Sequence, residues 1–357
     1  MTETATTTAV CEHCDWRYRL PSTGSPPICP HCLQTDLTPV DSDVTGMTGA
    51  VELVAPFSVS DADLSRGLQR FSSGFFFRPR DLTGENLHSR KQRLYLPRWL
   101  VDCDAEAGWR AEAGFDYQVV SHQDQFDESS KQWQSQQIRE HRVRWEPRAG
   151  RLARHYENVD APAMEEDAAV RQRLGDFDHT QAEAVDALSL DGALIRMPNR
   201  AASDAWNDAV PGLRLRAVEE CRQACRADHL REFDWTPQFS GQHWTQLLLP
   251  VFTTYYADET GVQHAVLIHG QTGSAYGRRQ AAFRPARNLS LVLGALAVLA
   301  LFVSLLMVVL SSVGGSDALL SLGPLGVLAA MVTGILAIVP IAYVWIFNRL
   351  QPPDPPI

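Results

Sequence analysis

Lysine is almost missing from this chain of 357 residues; Lys91 and Lys131 are the whole supply, and arginine carries the remaining positive charge. There is no G-x4-G-K-[ST] loop to cradle a nucleotide phosphate, and H-E-x-x-H, G-x-S-x-G and G-x-G-x-x-G are missing too. With these signatures lacking, the chain reads as a non-enzyme. A net positive charge is also lacking. At −10, the chain does not offer nucleic acid the concentrated positive face that phosphate contacts need, and Arg17 and Arg19 alone do not make one. Met1 to Val10 has neither a basic n-region nor an apolar h-region, so no cleavable signal peptide is expected there.

Charge is lacking again in two long stretches near the C-terminus. Residues 289–310 and 325–347 contain no ionisable group, and each is long enough for the ~20 residues that cross a ~30 Å hydrocarbon layer. The alternative is a buried hairpin in a soluble core, but segments this long and uncharged are rare in such cores. Ionisable residues usually mark transport pathways, so two helices without them read as an anchor. Ser290-x3-Gly294 and Ala330-x3-Gly334 are small-residue pairs of the kind that support a homo-oligomer. Arg278, Arg279, Arg284 and Arg287 before the first stretch and Arg349 after the second place both flanks in the cytoplasm by the positive-inside rule. The expected location is a bacterial inner membrane, crossed twice, with both termini cytoplasmic and the lipid bilayer as one partner.

Against these absences stands one strong local motif. Cys11-Glu-His-Cys14 and Cys29-Pro-His-Cys32 form a C-x2-C-x14-C-x2-C pattern. Four thiolates in two knuckles make a closed tetrahedral set for structural Zn2+, and a segment this small needs such a staple to fold. Reduced cytoplasmic thiols favour metal over two disulfides. Iron in a rubredoxin-like arrangement is the alternative metal. His13 and His31 lie inside the knuckles and are read as bystanders. Cys221 and Cys225, one helical turn apart, are read as core packing, and Cys103 stands alone at a strand end without a histidine to activate it.

The rest of the chain reads as α+β. Ser60 is placed to cap a helix carrying Leu64, Leu68 and Phe71 on its buried face. The Phe75-Phe76-Phe77 triplet suits buried packing, with membrane contact as the alternative. Strand signals at 94–102, 109–120, 133–145 and 151–159, with a turn at Pro147–Gly150, predict an antiparallel meander. A helix is expected over 161–175, with Glu165, Glu166 and Asp167 as solvated caps. Ser203 is placed to cap a short helix ending before Pro211, and a longer one follows with Leu215, Val218, Cys221 and Cys225 on its apolar face. Trp99, Trp109, Trp145, Trp206, Trp235 and Trp244 are expected to pack on the sheets. Leu94-Tyr-Leu-Pro97-Arg-Trp99 and Leu247-Leu-Leu-Pro250-Val-Phe252 share an L-x-L-P-x-aromatic pattern, which predicts two related β units. Gly270-Gln-Thr-Gly273 reads as a tight turn.

Several of these stretches together resemble a group of bacterial membrane proteins with an N-terminal zinc ribbon, often labelled by analogy with the zinc module of the primosomal helicase. The resemblance rests on Cys11, Cys14, Cys29 and Cys32; on Pro56-Phe57 and Phe77-x-Pro79; on Leu94-Tyr-Leu-Pro97-x-Trp99; and on Leu249-Pro250-Val through His269-Gly-Gln-Thr-Gly273. Helicase activity is not implied, since the nucleotide loop is missing. Asn commonly precedes Gly-Gln-Thr-Gly in that group, and His269 departs from it. The resemblance implies protein partners of SPFH-type (flotillin-like) or phage-shock-type in envelope stress.

The resulting expectation is a multidomain α+β chain. It comprises a disordered N-terminus (1–10), a zinc ribbon (11–36), a linker (37–50), a first β unit (51–160), a helical segment (161–232), a second β unit (233–278), a basic juxtamembrane segment (279–288), transmembrane helices at 289–310 and 325–347, and a tail (348–357). The expected function is that of a membrane-anchored zinc-ribbon adaptor, with a ligand or stress sensor holding a pocket in the β domain as the alternative.

Overall fold

The computed structural model describes residues 7–21, 27–40, 51–127, 132–185, 190, 192–314 and 317–352. Three short strands open the described chain: β1 (Thr7–Val10), β2 (Arg17–Leu20) and β3 (Thr38–Pro39). β4 (Val51–Val54) leads into helices α1 (Asp61–Ser72) and α2 (Gly84–Ser89), and these into two very long strands, β5 (Gln92–Asp127) and β6 (Gln132–Pro162). Helix α3 (Asp167–Leu174), strands β7 (Glu183–Ala184) and β8 (Leu194–Arg196) and helix α4 (Ala202–Ala224) precede a third long strand, β9 (His229–Ala257). Strands β10 (Gln263–His269) and β11 (Ala275–Gly277) are followed by helices α5 (Phe283–Gly314), α6 (Asp317–Leu336) and α7 (Val339–Leu350). The architecture is mixed α+β and sheet-rich.

All the strands join one 11-stranded sheet, whose main path runs β11-β10-β9-β5-β8-β2-β1-β3. The two L-x-L-P stretches are antiparallel partners of one another within it, with Leu96 opposite Leu249 and Pro97 opposite Leu248. A division into two separate β units is therefore not seen. The first strands also differ from expectation. Thr7–Val10 is paired with β2 and β3 rather than disordered, and Leu37 in the expected linker is buried. Residues 1–6, 41–50 and 353–357 of the expected N-terminus, linker and tail lie outside the described residues.

The expected meander of four strands is instead one hairpin of two continuous strands, β5 and β6. Pro147 and Gly150, read as a turn, lie within β6. Proline is tolerated there because, among the described residues, β6 has only β5 as a strand neighbour, and an edge strand can forgo a ladder hydrogen bond. Gly150 pairs with Trp109 and Gly114 with Trp145, so each glycine faces a tryptophan across the ladder. A Cβ on Gly150 would lie 3.0 Å from the Trp109 ring, and one on Gly114 2.8 Å from that of Trp145. The indoles cover the backbone where no side chain stands, which offsets the usual weakness of glycine in a strand. β9 pairs with β5 as far as Gly114. Beyond it the hairpin continues as a two-stranded arm.

Helix α4 lies on this ribbon through a stripe of residues spaced four apart, all small except Leu213. Ala205, Ala209, Leu213, Ala217 and Cys221 are buried among Trp99, Val101, Cys103, Ala105, Tyr156 and Val159. Their small size lets the helix approach the strands closely. Leu215, expected on the apolar face, is 69% exposed. Pro211 sits inside this single helix, which starts at Ala201 rather than at a Ser203 cap. Helix α1 follows its expectation. Ser60 Oγ accepts from the Asp63 N–H at 3.1 Å, and Leu64, Leu68 and Phe71 are buried.

Two helical spans, Phe283–Leu310 and Gly323–Leu350, are long and apolar enough to cross a membrane, and only 11% of each apolar window is buried. Apolar side chains such as Leu291, Val298 and Phe302 face outward, unlike those of a soluble core hairpin. The second span is not one helix; it breaks between α6 and α7, just ahead of Pro340, which lacks an N–H to continue the ladder.

These helices are fastened to the sheet. Glu259, in the β9–β10 turn, accepts the N–H groups of Phe283 at 2.6 Å and Arg284 at 2.8 Å, satisfying orphan donors at the start of α5. Tyr256 donates its hydroxyl to the Arg278 carbonyl and accepts the Gln280 N–H, both at 2.9 Å. The phenylalanine triplet packs on α7: Phe75 stacks on Phe347 at 4.9 Å, and the Phe76 N–H donates to Tyr343 Oη at 3.2 Å.

Candidate metal centre

Two knuckles of matching backbone bring the four cysteines together. After Cys14, Asp15 takes φ 57°, and after Cys32, Leu33 takes φ 55°. The Asp15 N–H returns to the Cys11 carbonyl at 2.8 Å, and the Leu33 N–H to that of Cys29 at 3.0 Å. The first knuckle is the turn between β1 and β2, whose Val10 and Arg17 pair. The second lies ahead of β3, which pairs with β1. The sheet itself thus sets the spacing.

The ligand sulfurs of Cys11, Cys14, Cys29 and Cys32 all lie within 4.8 Å of one another. Cys11 Sγ is 3.5 Å from Cys32 Sγ, and Cys14 Sγ 3.7 Å from Cys29 Sγ. Four thiolates bound at ~2.3 Å to a tetrahedral metal have edges of about 3.8 Å. The set therefore fits a metal ion by distance and by donor type, and all four thiols are free.

The electrostatics favour filling it. Burial opposes ionisation of Cys11, but hydrogen bonds from Thr35 and from the backbone of His13 and Cys14 outweigh it and hold the thiol at about 6. Burial pushes Cys29 up to about 11, helped by hydrogen bonding and charge from Cys11, and burial also raises Cys14. Crowded sulfurs cannot all ionise unaided; a bound metal cation would take the place of their protons.

No protein-family model, curated protein or solved structure matches the chain.

Distant residues surround the cluster. The Trp16 ring stacks on His31 at 3.8 Å and carries the Arg196 guanidinium 3.2 Å from its centroid. Arg196, 2% exposed, pairs with Glu166 at 3.1 Å, and its charge reaches Cys14. A buried cation beside four thiolates would offset the excess negative charge left by a bound divalent ion. His31 is a stacking partner and His13 is exposed, as their bystander reading requires. Arg196 and Glu166 had no local signal, because β2 and β8 join only through the sheet, with Tyr18 opposite Arg196.

The acidic run before α3 departs from its expectation. Asp167 is buried and bound to Arg98 at 2.6 Å; burial raises its carboxyl above the ordinary range while Arg98 pulls it back. Asp167 is thus a buried charge partner and Glu166 a half-buried one, rather than solvated caps, while Glu165 is exposed as expected. Cys103 and Cys221 are buried, and burial raises both thiols, Cys221 to about 11, so neither is poised as a nucleophile.

The Gly270–Gly273 stretch is a tight turn, with Gly273 at φ 73°. His269 organises it: Nδ1 accepts the N–H groups of Gln271 at 3.1 Å and Thr272 at 3.3 Å, while Nε2 reaches the Asp176 carbonyl at 3.2 Å. This is the task an Asn side chain performs in an Asx turn. The histidine keeps the turn while stacking on Phe177 at 4.0 Å.

Proposed function

We propose that this chain is a membrane-anchored adaptor of the bacterial inner membrane. Zn2+ closes the four-cysteine site, and the β5–β6 arm presents a protein-binding edge on the cytoplasmic side. The observation that carries the reading is the arm itself, which outruns β9 after Gly114 and leaves that edge of β5 without a neighbouring strand among the described residues. Unpaired strand edges are templates for another chain. Four thiolates complete a tetrahedron and leave no position for substrate, which favours a structural ion. Two apolar spans, the first joined to the sheet through Glu259 and Tyr256, support an anchor held in fixed relation to the arm.

SPFH-type and phage-shock-type proteins are the first candidate partners, on the resemblance above. The test places a photo-crosslinker at Tyr117, 45% exposed on the arm, and at exposed Leu215 on α4 as a control, in native membranes. One partner trapped from Tyr117 and not from Leu215 is the expected outcome. Equal labelling from both positions, or none from Tyr117, sinks the adaptor reading.

A cavity of about 590 Å³ lined by Phe57, Leu64, Phe252, Lys91 and Arg93 favours a ligand sensor as the second reading. Thermal-shift screening of Arg93→Ala against the wild type tests it; a ligand that stabilises both equally does not use this cavity.

A further inference from the structure

The basic collar gathers residues from three separate parts of the chain. Arg70 at the end of α1 and Arg279 ahead of α5 line, with Thr272, Ser274 and Gln351, a cavity of about 470 Å³. Asp63 also lines the cavity and feels the charge of Arg70, but its carboxylate is bound by Arg66; Asp81 is engaged by Arg90, and Glu259 by the first N–H groups of α5. Arg70 and Arg279 thus have no ion-pair partner among the described residues, and Arg284, Arg287 and Arg349 add exposed charge at the ends of α5 and α7. This concentration stands in a chain whose net charge is −10.

Aromatic packing fixes its level. Arg279 lies over the Phe75 ring at 5.7 Å, and Phe75 stacks on Phe347, the last residue of the uncharged run. Phe76, next in the chain after Phe75, is 72% exposed beside Tyr343. An exposed aromatic next to unpaired arginines at the end of an apolar span is the composition of a membrane–water interface.

We propose that this cavity binds the phosphate of an anionic phospholipid. Arg70 and Arg279 hold the phosphodiester, the hydroxyls of Thr272 and Ser274 contact the headgroup, and Phe76 lies among the acyl chains. The proposal rests on the membrane-anchored reading above.

The test reconstitutes the full chain into phosphatidylcholine nanodiscs with a trace of spin-labelled lipid, phosphatidylglycerol in one arm and phosphatidylcholine in the other. The immobilised fraction gives the relative association constant. Preference for phosphatidylglycerol of about fivefold or more is expected, since each arginine near the surface contributes on that scale. Arg70→Gln, at an exposed position, lowers the preference, and R70Q/R279Q removes it. Arg110→Gln, exposed on β5 and paired with Asp234 away from the cavity, leaves it unchanged. A wild type without preference, or an R70Q/R279Q variant that retains it, overturns the proposal. So does loss of the preference on adding inorganic phosphate, which would make the ligand a free anion. Folded chain that stays out of the discs altogether refutes the membrane reading itself, a result distinct from insertion without lipid selectivity.

Discussion

Asn348 on α7 holds both backbone polar atoms of Ala281: its Oδ1 accepts the Ala281 N–H at 2.7 Å, and its Nδ2 donates to the Ala281 carbonyl at 3.0 Å. A single amide side chain acts as a strand partner for the peptide that leaves the sheet. Asn348→Ala leaves that buried peptide group unpaired and costs about 1–3 kcal/mol. Asn348→Asp keeps the acceptor alone and falls between. Hydrogen exchange at Ala281 measures the change, and unaltered protection in the alanine variant would show that the clip is dispensable.

The four-cysteine cluster packs in one core with Leu94, Leu96 and Leu247. Metal removal by a chelator therefore loosens the sheet as well as the knuckles. Exchange is expected to quicken at Leu20, Leu194 and Leu94, on β2, β8 and β5. A response confined to residues 7–40 would mark an independent ribbon. One Co2+ per chain with thiolate charge-transfer absorption, lost in Cys29→Ser/Cys32→Ser, checks the donor set.

Arg98 is 6% exposed and bound to both Asp160 and Asp167. Arg98→Met leaves Asp160 to Arg171 alone and strands the buried Asp167, which Arg171 reaches only at 3.8 Å, and costs about 3–5 kcal/mol, whereas Arg98→Met/Asp167→Leu recovers a large share of the loss. Urea unfolding of the pair of variants decides this; equal losses would mean that Asp167 is not the group stranded.

Hydrogen bonds from Arg90 hold the Asp81 carboxyl below its ordinary value of 3.8, against the opposing effect of burial. The same carboxylate accepts the Ala257 N–H at 2.7 Å. A depressed folded value adds stability that is fully present above the unfolded value and is lost as pH falls through the folded one. Asp81→Asn therefore lowers the melting temperature at neutral pH, and its gap to the wild type narrows below about pH 4. A gap independent of pH would assign the loss to packing.

Local chemistry made some of this legible in the sequence and hid the rest. Cys11, Cys14, Cys29 and Cys32 announce their cluster by spacing, and Ser60 its helix by capping. Both signals lie within one turn of the residues they organise. Pro147 and Gly150 read as a turn because nothing nearby says that β6 is an edge strand or that Trp109 covers the glycine. Asp167 read as a solvated cap because its partner, Arg98, lies on another strand. The face of α4 was misread at Leu215 since alanines carry little hydrophobic signal, yet close helix–sheet contact selects them. The Arg196 guanidinium over Trp16 is invisible until β2 meets β8.

The length of β5 has a further consequence. Its 36 residues, at ~3.3 Å each, measure on the order of 100 Å when straight. One end lies near the helices clipped by Glu259 and the other runs out along the arm, so the strand sets a fixed length between them. A partner docking on the arm, as proposed, would be selected by how far it lies from the clipped helices as well as by its surface, and shortening the strand by whole pairs of residues would move that meeting point while leaving the alternation of faces intact.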